Sequence, residues 1–128
     1  MNSIPISTDY SQSKRLIEAG LPVKTADRVN SVGPSWSLSK LISLMPNDIG
    51  YLSDDVDPTD EEAFYSALQI QYDLKMNNKS VRYETYDGEL EKFRAYGFTL
   101  LDAVVDAVEW LLNEGWIDKE TNPTGNNL

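Results

Sequence analysis

Six carboxylates crowd into nine residues of this chain: Asp54, Asp55, Asp57, Asp60, Glu61 and Glu62. Clustered hard oxygen donors are what a calcium or magnesium ion takes as ligands. The spacing does not complete an EF-hand loop, which from Asp55 needs glycine and glutamate where the chain has Asp60 and Ser66. A plainer reading has Asp57 or Thr59 capping a helical turn opened by Pro58, with Glu61 and Glu62 at its positive end. No metal or cofactor is assigned here, and binding of a divalent ion by residues 54–62 stands as an alternative.

The chain has no cysteine and no histidine. Disulfides, thiolate zinc sites, imidazole ligands and both Ser-His-Asp and Cys-His catalysis are therefore excluded. An enzyme would have to run on carboxylates, lysine, tyrosine or serine. Paired carboxylates cleave glycosidic bonds only where one of them sits in a cleft with a raised pKa. Glu84 and Asp106 are the two carboxylates best placed to lie in structured clefts, yet nothing in the sequence pairs them. The expectation is that the chain is not an enzyme, with a carboxylate-based or divalent-metal-dependent hydrolase as the alternative.

Aromatic residues and arginine dominate binding hot spots. Tyr86, Arg82 and Arg94 fall at positions that would lie on the wet face of a sheet. Trp36 and Trp110 lie at the edges of apolar helical stripes and are expected to meet each other across a helix–helix contact. No glycine-rich phosphate loop is present, since the seven glycines are scattered.

The formal charge of -10 comes from 21 acidic and 11 basic residues. Such a field repels phosphate backbones, so direct nucleic-acid binding is not expected. It permits one further alternative, an acidic mimic of DNA that occupies a basic site on a nucleic-acid enzyme. The opening residues MNSIPISTDYSQSKR lack the basic start and apolar run of a signal peptide, and no stretch has the length of a membrane span. A cytoplasmic protein away from membranes is the resulting expectation.

These residues need elements to hold them. The strongest runs from Phe98 to Glu114: Thr99 and Asp102 form an aspartate variant of the capping box, and Gly115 supplies the left-handed stop. Leu101, Val104, Val105, Val108, Leu111 and Leu112 make its apolar stripe, widened by Leu100, Ala103, Ala107 and Trp110. A stripe that wide predicts a sheet beneath and another element along the flank. Asp102, Asp106, Glu109 and Asn113 fill the remaining arc, which is expected to face water.

Leu68, Ile70, Tyr72, Leu74 and Met76 alternate with polar residues and predict a half-buried strand. Residues 77–80 turn into a second strand over 81–86, and Asp87-Gly88 reads as a two-residue turn into a third near 91–96. Upstream, a helix is predicted over 10–19, ended by Gly20, and a second over 22–29. Gly33-Pro34 breaks the chain, and a third helix from about Ser35 to before Pro46 carries Leu38, Leu41, Ile42 and Met45. Residues 47–62 read as an acidic surface loop and 118–128 as a polar tail.

The fold class is thus α+β: short N-terminal helices, a three-stranded antiparallel sheet and a long C-terminal helix packed on it. All of 1–128 forms one domain with its ordered core at about 10–117. A free sheet edge would allow pairing with a second copy, an edge-strand homodimer.

The segments WSLSKLISLMP (36–46) and GFTLLDAVVDAVEWLLNEGWI (97–117), in this order around a hairpin, resemble a group of uncharacterised small proteins of bacterial prophages and mobile elements. The similarity spans roughly residues 12–117. It implies the same architecture and brings no activity or functional residues with it. A fainter likeness to small antitoxin domains lies in the strand-to-helix junction alone. The function expected on this basis is a non-catalytic accessory protein that binds another protein.

Overall fold

The computed structural model describes residues 7–30, 33–52 and 69–120. Among the described residues, three α-helices, α1 (Tyr10–Ala19), α2 (Leu38–Leu44) and α3 (Leu100–Glu114), combine with two antiparallel sheets. The larger sheet is a meander of four strands in chain order: β3 (Asp48–Leu52), β4 (Gln69–Met76), β5 (Ser80–Glu84) and β6 (Glu91–Tyr96). The smaller is a hairpin of β1 (Arg28–Asn30) and β2 (Gly33–Ser35). The fold class is α+β with the C-terminal helix on the sheet, as the hydrophobic pattern implies, but the sheet has four strands where three were expected.

Each long helix is bounded by its own sequence. At the start of α1 Asp9 accepts from Gln12 N and Gln12 Oε1 accepts from Asp9 N, a reciprocal cap that satisfies two otherwise orphaned donors. Gly20 ends it with φ 105°, where a side chain would be strained. Thr99 and Asp102 cap α3 in the same reciprocal way. At its other end the Trp116 amide folds back onto the Leu111 carbonyl past Gly115.

α3 is the centre of the packing. It lies across β5 and β6, while α1 and α2 pack against it from elsewhere on its surface. Eight of its residues are buried, including the whole predicted stripe from Leu101 to Leu112, and Leu16, Trp36, Leu41, Ile49, Val81 and Tyr83 complete the core around it. The acidic arc of α3 does not simply face water. Gln12 Nε2 donates to Asp102 at 2.8 Å, and the Arg15 guanidinium spans Asp106 at 2.7 Å and Glu109 at 2.8 Å, so α1 lies along that arc.

Several expectations are corrected. The segment 22–29 holds only a 3₁₀ turn at Val23–Thr25 before the chain extends into β1. The chain leaves the helical path because Thr25 and Asp27 serve as acceptors for the Trp36 indole and the Ser37 amide. Gly33 and Pro34 lie inside β2, and α2 begins at Leu38, with Ser37 as its cap. Residues 47–62 are not all loop, because Asp48–Leu52 is the edge strand β3, paired in register with β4 from Asp48↔Asp73 to Leu52↔Gln69. The β5–β6 connection is the six residues from Thr85 to Leu90: Thr85 N donates to Leu90 O, and Asp87 accepts from Thr85 Oγ1 and Glu89 N, closing a wider loop than two residues. The six clustered carboxylates of residues 54–62 and the tail 121–128 lie outside the described residues.

Candidate interaction surface

Antiparallel partners share a face, so the register assigns the sheet's two sides. Tyr72, Leu74, Met76, Val81, Tyr83, Phe93 and Ala95 look toward α3. Lys75, Arg82, Glu84, Arg94 and Tyr96 take the other face, on which no described element packs. Arg82 and Arg94 stand directly opposite one another.

Two like charges at paired positions repel unless a counter-charge lies between them. Glu84 supplies it: its carboxylate is 3.0 Å from Arg82 Nε, 3.2 Å from Lys75 Nζ and 3.9 Å from Arg94 Nη2. Hydrogen bonds from Arg82 and then Lys75 hold the Glu84 carboxyl below the usual carboxylate range. Arg94 is tied further, donating to Glu91 and, at 2.7 Å, to the Tyr96 hydroxyl. Lys75 also reaches the carbonyls of Thr85 and Tyr86, which brings the β5–β6 loop to the end of this face.

An irregularity between Tyr83 and Glu84 leaves Lys92 as an extra residue on β6. The Lys92 ammonium lies 4.2 Å from the centroid of the Tyr51 ring. Tyr51 in turn donates to Glu114 and accepts from the Trp116 indole, tying β3 to the end of α3. Trp110 stacks on Phe93 with ring centroids 4.6 Å apart. Trp36 is fully buried elsewhere, its indole N–H on Thr25 Oγ1 at 2.9 Å. The two tryptophans therefore serve separate contacts, and the expected pairing of Trp36 with Trp110 is replaced by a tryptophan–sheet stack and a tryptophan–loop anchor.

The sequence candidates thus divide. Arg82, Arg94 and Glu84 come together on the open face, with Tyr86 beside them and 90% exposed. Asp106 is remote, paired with Arg15 on the helical side. Sequence reasoning missed Lys75, Tyr96 and Phe98. Lys75 was legible as a polar position of an alternating strand, while Tyr96 and Phe98 flank Gly97, where strand gives way to helix. Tyr96 is 66% and Phe98 93% exposed, a large outlay of aromatic surface for so small a molecule.

A hollow of about 500 Å³ lies between the 3₁₀ turn and residues 117–120. Lys24 and Lys119 on its rim are balanced by Asp118 and Glu120. Among the described residues no three acidic side chains converge as a metal site would require, and no helix is long and apolar enough to cross a membrane. No protein family, curated protein or solved structure was found to match this chain.

Proposed function

We propose that this chain is a non-catalytic interaction protein that binds another protein on the open face of its four-stranded sheet. The observation that carries this reading is the composition of that face: two opposed arginines with the Glu84 carboxylate between them, and exposed tyrosines beside them. Arginine and tyrosine supply most hot-spot energy when buried by a partner, and an arginine already oriented by a carboxylate has less freedom to lose on binding.

The carboxylates support the same reading over a hydrolase. Glu84, Asp87 and Asp27 are each held ionised by donors, the reverse of what a general acid needs. Asp106 and Glu109 are engaged by Arg15, which breaks up the row of free charge that mimicry of DNA would require. An accessory role in the cytoplasm for a phage or mobile element is the setting we propose.

The test is affinity capture from cells expressing the chain, run in parallel with the Arg82→Glu/Tyr86→Ser double variant. One stoichiometric partner is expected with the parent and at least a tenfold loss with the variant, the equivalent of about 1.4 kcal/mol. Equal recovery with both chains rules out this face as the site.

A further inference from the structure

We infer that β6 is the seam of a homodimer, in which two copies pair antiparallel and extend the sheet from four strands to eight. The backbone geometry carries this inference. Gly97 N donates to Lys79 O at 2.9 Å, which places Gly97, Ala95 and Phe93 at the positions that bond toward β5. The N–H and C=O groups of Arg94 and Tyr96 therefore point away from the sheet. No described strand lies beyond them.

Edges of this kind are usually guarded by long charged side chains lying across the strand. On β6 the guard is withdrawn. Arg94 is drawn over the open face by Glu84 and Glu91, and Lys92 is turned at the bulge toward Tyr51. Exposed aromatic surface remains at the end of the strand, where Tyr96, Gly97, Phe98 and Asp102 line a hollow of about 470 Å³.

The occupant is a second copy because the strand is self-complementary. Pairing about Ala95 sets Arg94 opposite Tyr96 of the copy, and Tyr96 opposite Arg94 of the copy. The two side chains already suit one another within one chain, with the guanidinium carbon 5.6 Å from the Tyr96 ring centroid. The same register brings Phe98 against the Lys92 end of the copy's strand. The seam takes Arg94 and Tyr96 from the rim of that face and leaves Lys75 and Arg82 outside it, so the dimer does not require the hetero-protein reading.

Charge gives the association a signature. Each copy carries a formal charge of -10, so the two repel at long range, and screening that repulsion strengthens a homodimer while weakening any complex with a basic protein. Sedimentation velocity of the full chain across protein concentration, at low and moderate salt, is the test. A dimer with Kd of about 10 to 100 µM, as befits a small interface, is expected to tighten as salt rises. Tyr96→Pro removes an N–H that the monomer does not use, and Phe98→Asp places a charge in the seam while keeping that N–H. Each is expected to weaken the dimer at least tenfold, and Phe98→Asp is expected to keep the parent's melting temperature. A chain that stays monomeric at about 500 µM, a dimer indifferent to Phe98→Asp, or association that weakens with salt overturns the inference.

Discussion

Asp27 holds the start of α2 from ten residues upstream. Its carboxylate accepts from Ser37 N at 2.8 Å and from Ser37 Oγ at 2.5 Å, while Ser37 Oγ itself caps the helix by accepting from Lys40 N. Ser37 is buried, so removing the carboxylate leaves an amide and a hydroxyl without their acceptor. Hydrogen bonds to a charged group contribute about 1.5 to 3 kcal/mol each, and two that share one exchangeable group amount to less than their sum. Asp27→Ala is therefore expected to cost about 2 to 3 kcal/mol, a fall in Tm of about 8 to 12 °C for a chain of this size. Asp27→Asn keeps one acceptor and is expected to cost about 1 kcal/mol.

The comparison acquires a sign with pH. Ser37 hydrogen bonds hold the Asp27 carboxyl below its ordinary value. Its contribution is thus complete above the unfolded value of about 4 and is lost as pH falls through the lower folded value. Thermal and urea unfolding of parent and Asn variant at pH 7 and near pH 3 read this directly. The gap at pH 7 is expected to shrink on acidification. An Ala variant melting within about 2 °C of the parent, or an Asp–Asn gap equal at both pH values, refutes the reasoning.

Three further perturbations test the frame around the surface. A Cβ at Gly97 would lie 2.8 Å from Thr99 O and 2.9 Å from Ala103 N, both backbone, so Gly97→Ala is expected to destabilise by about 1 to 3 kcal/mol in urea unfolding. Arg15→Ala removes the clamp on Asp106 and Glu109, but the clamp is half in solvent, so the loss should be under about 1 kcal/mol and should vanish in high salt. Trp110→Ala strips the stacked partner of Phe93 and is expected to cost about 3 kcal/mol, with loss of the near-ultraviolet circular dichroism of the cluster.

What was legible in the sequence was local. α3 is written in a cap pair three residues apart, a terminal glycine and an apolar stripe, and α1 in the glycine that ends it; both helices fall where those signals put them, while the Asp9–Gln12 cap of α1 went unread. β4 and β6 announce themselves similarly, one by strict alternation and the other by the turn before it. β3 did not, because Asp48 and Gly50 dilute its apolar content and its stability comes from pairing with β4 across the acidic segment. The predicted helix at 22–29 failed because its polar residues have tertiary partners. Thr25 meets the Trp36 indole and Asp27 meets Ser37, and no period of 3.6 encodes either contact.

The surface was legible in part for the same reason. Alternation placed Arg82 and Arg94 on one face, but that Glu84 sits between them and Lys75 follows from the register of three strands. The acidic arc of α3 read as solvated because Arg15 is 91 residues away from Asp106 in the chain. Long-range ion pairs leave no periodic trace.

The account turns on the open face being a surface of settled charges rather than a place where a proton is held for transfer. Carbon-detected NMR titration of the side-chain carboxyls measures this residue by residue. Glu84 is expected to titrate below the ordinary glutamate value of about 4.3, with Asp27 and Asp87 likewise below the ordinary aspartate value. A Glu84 midpoint near 6 or above, the range of a working general acid, would contradict the account and reopen the case for catalysis on that face.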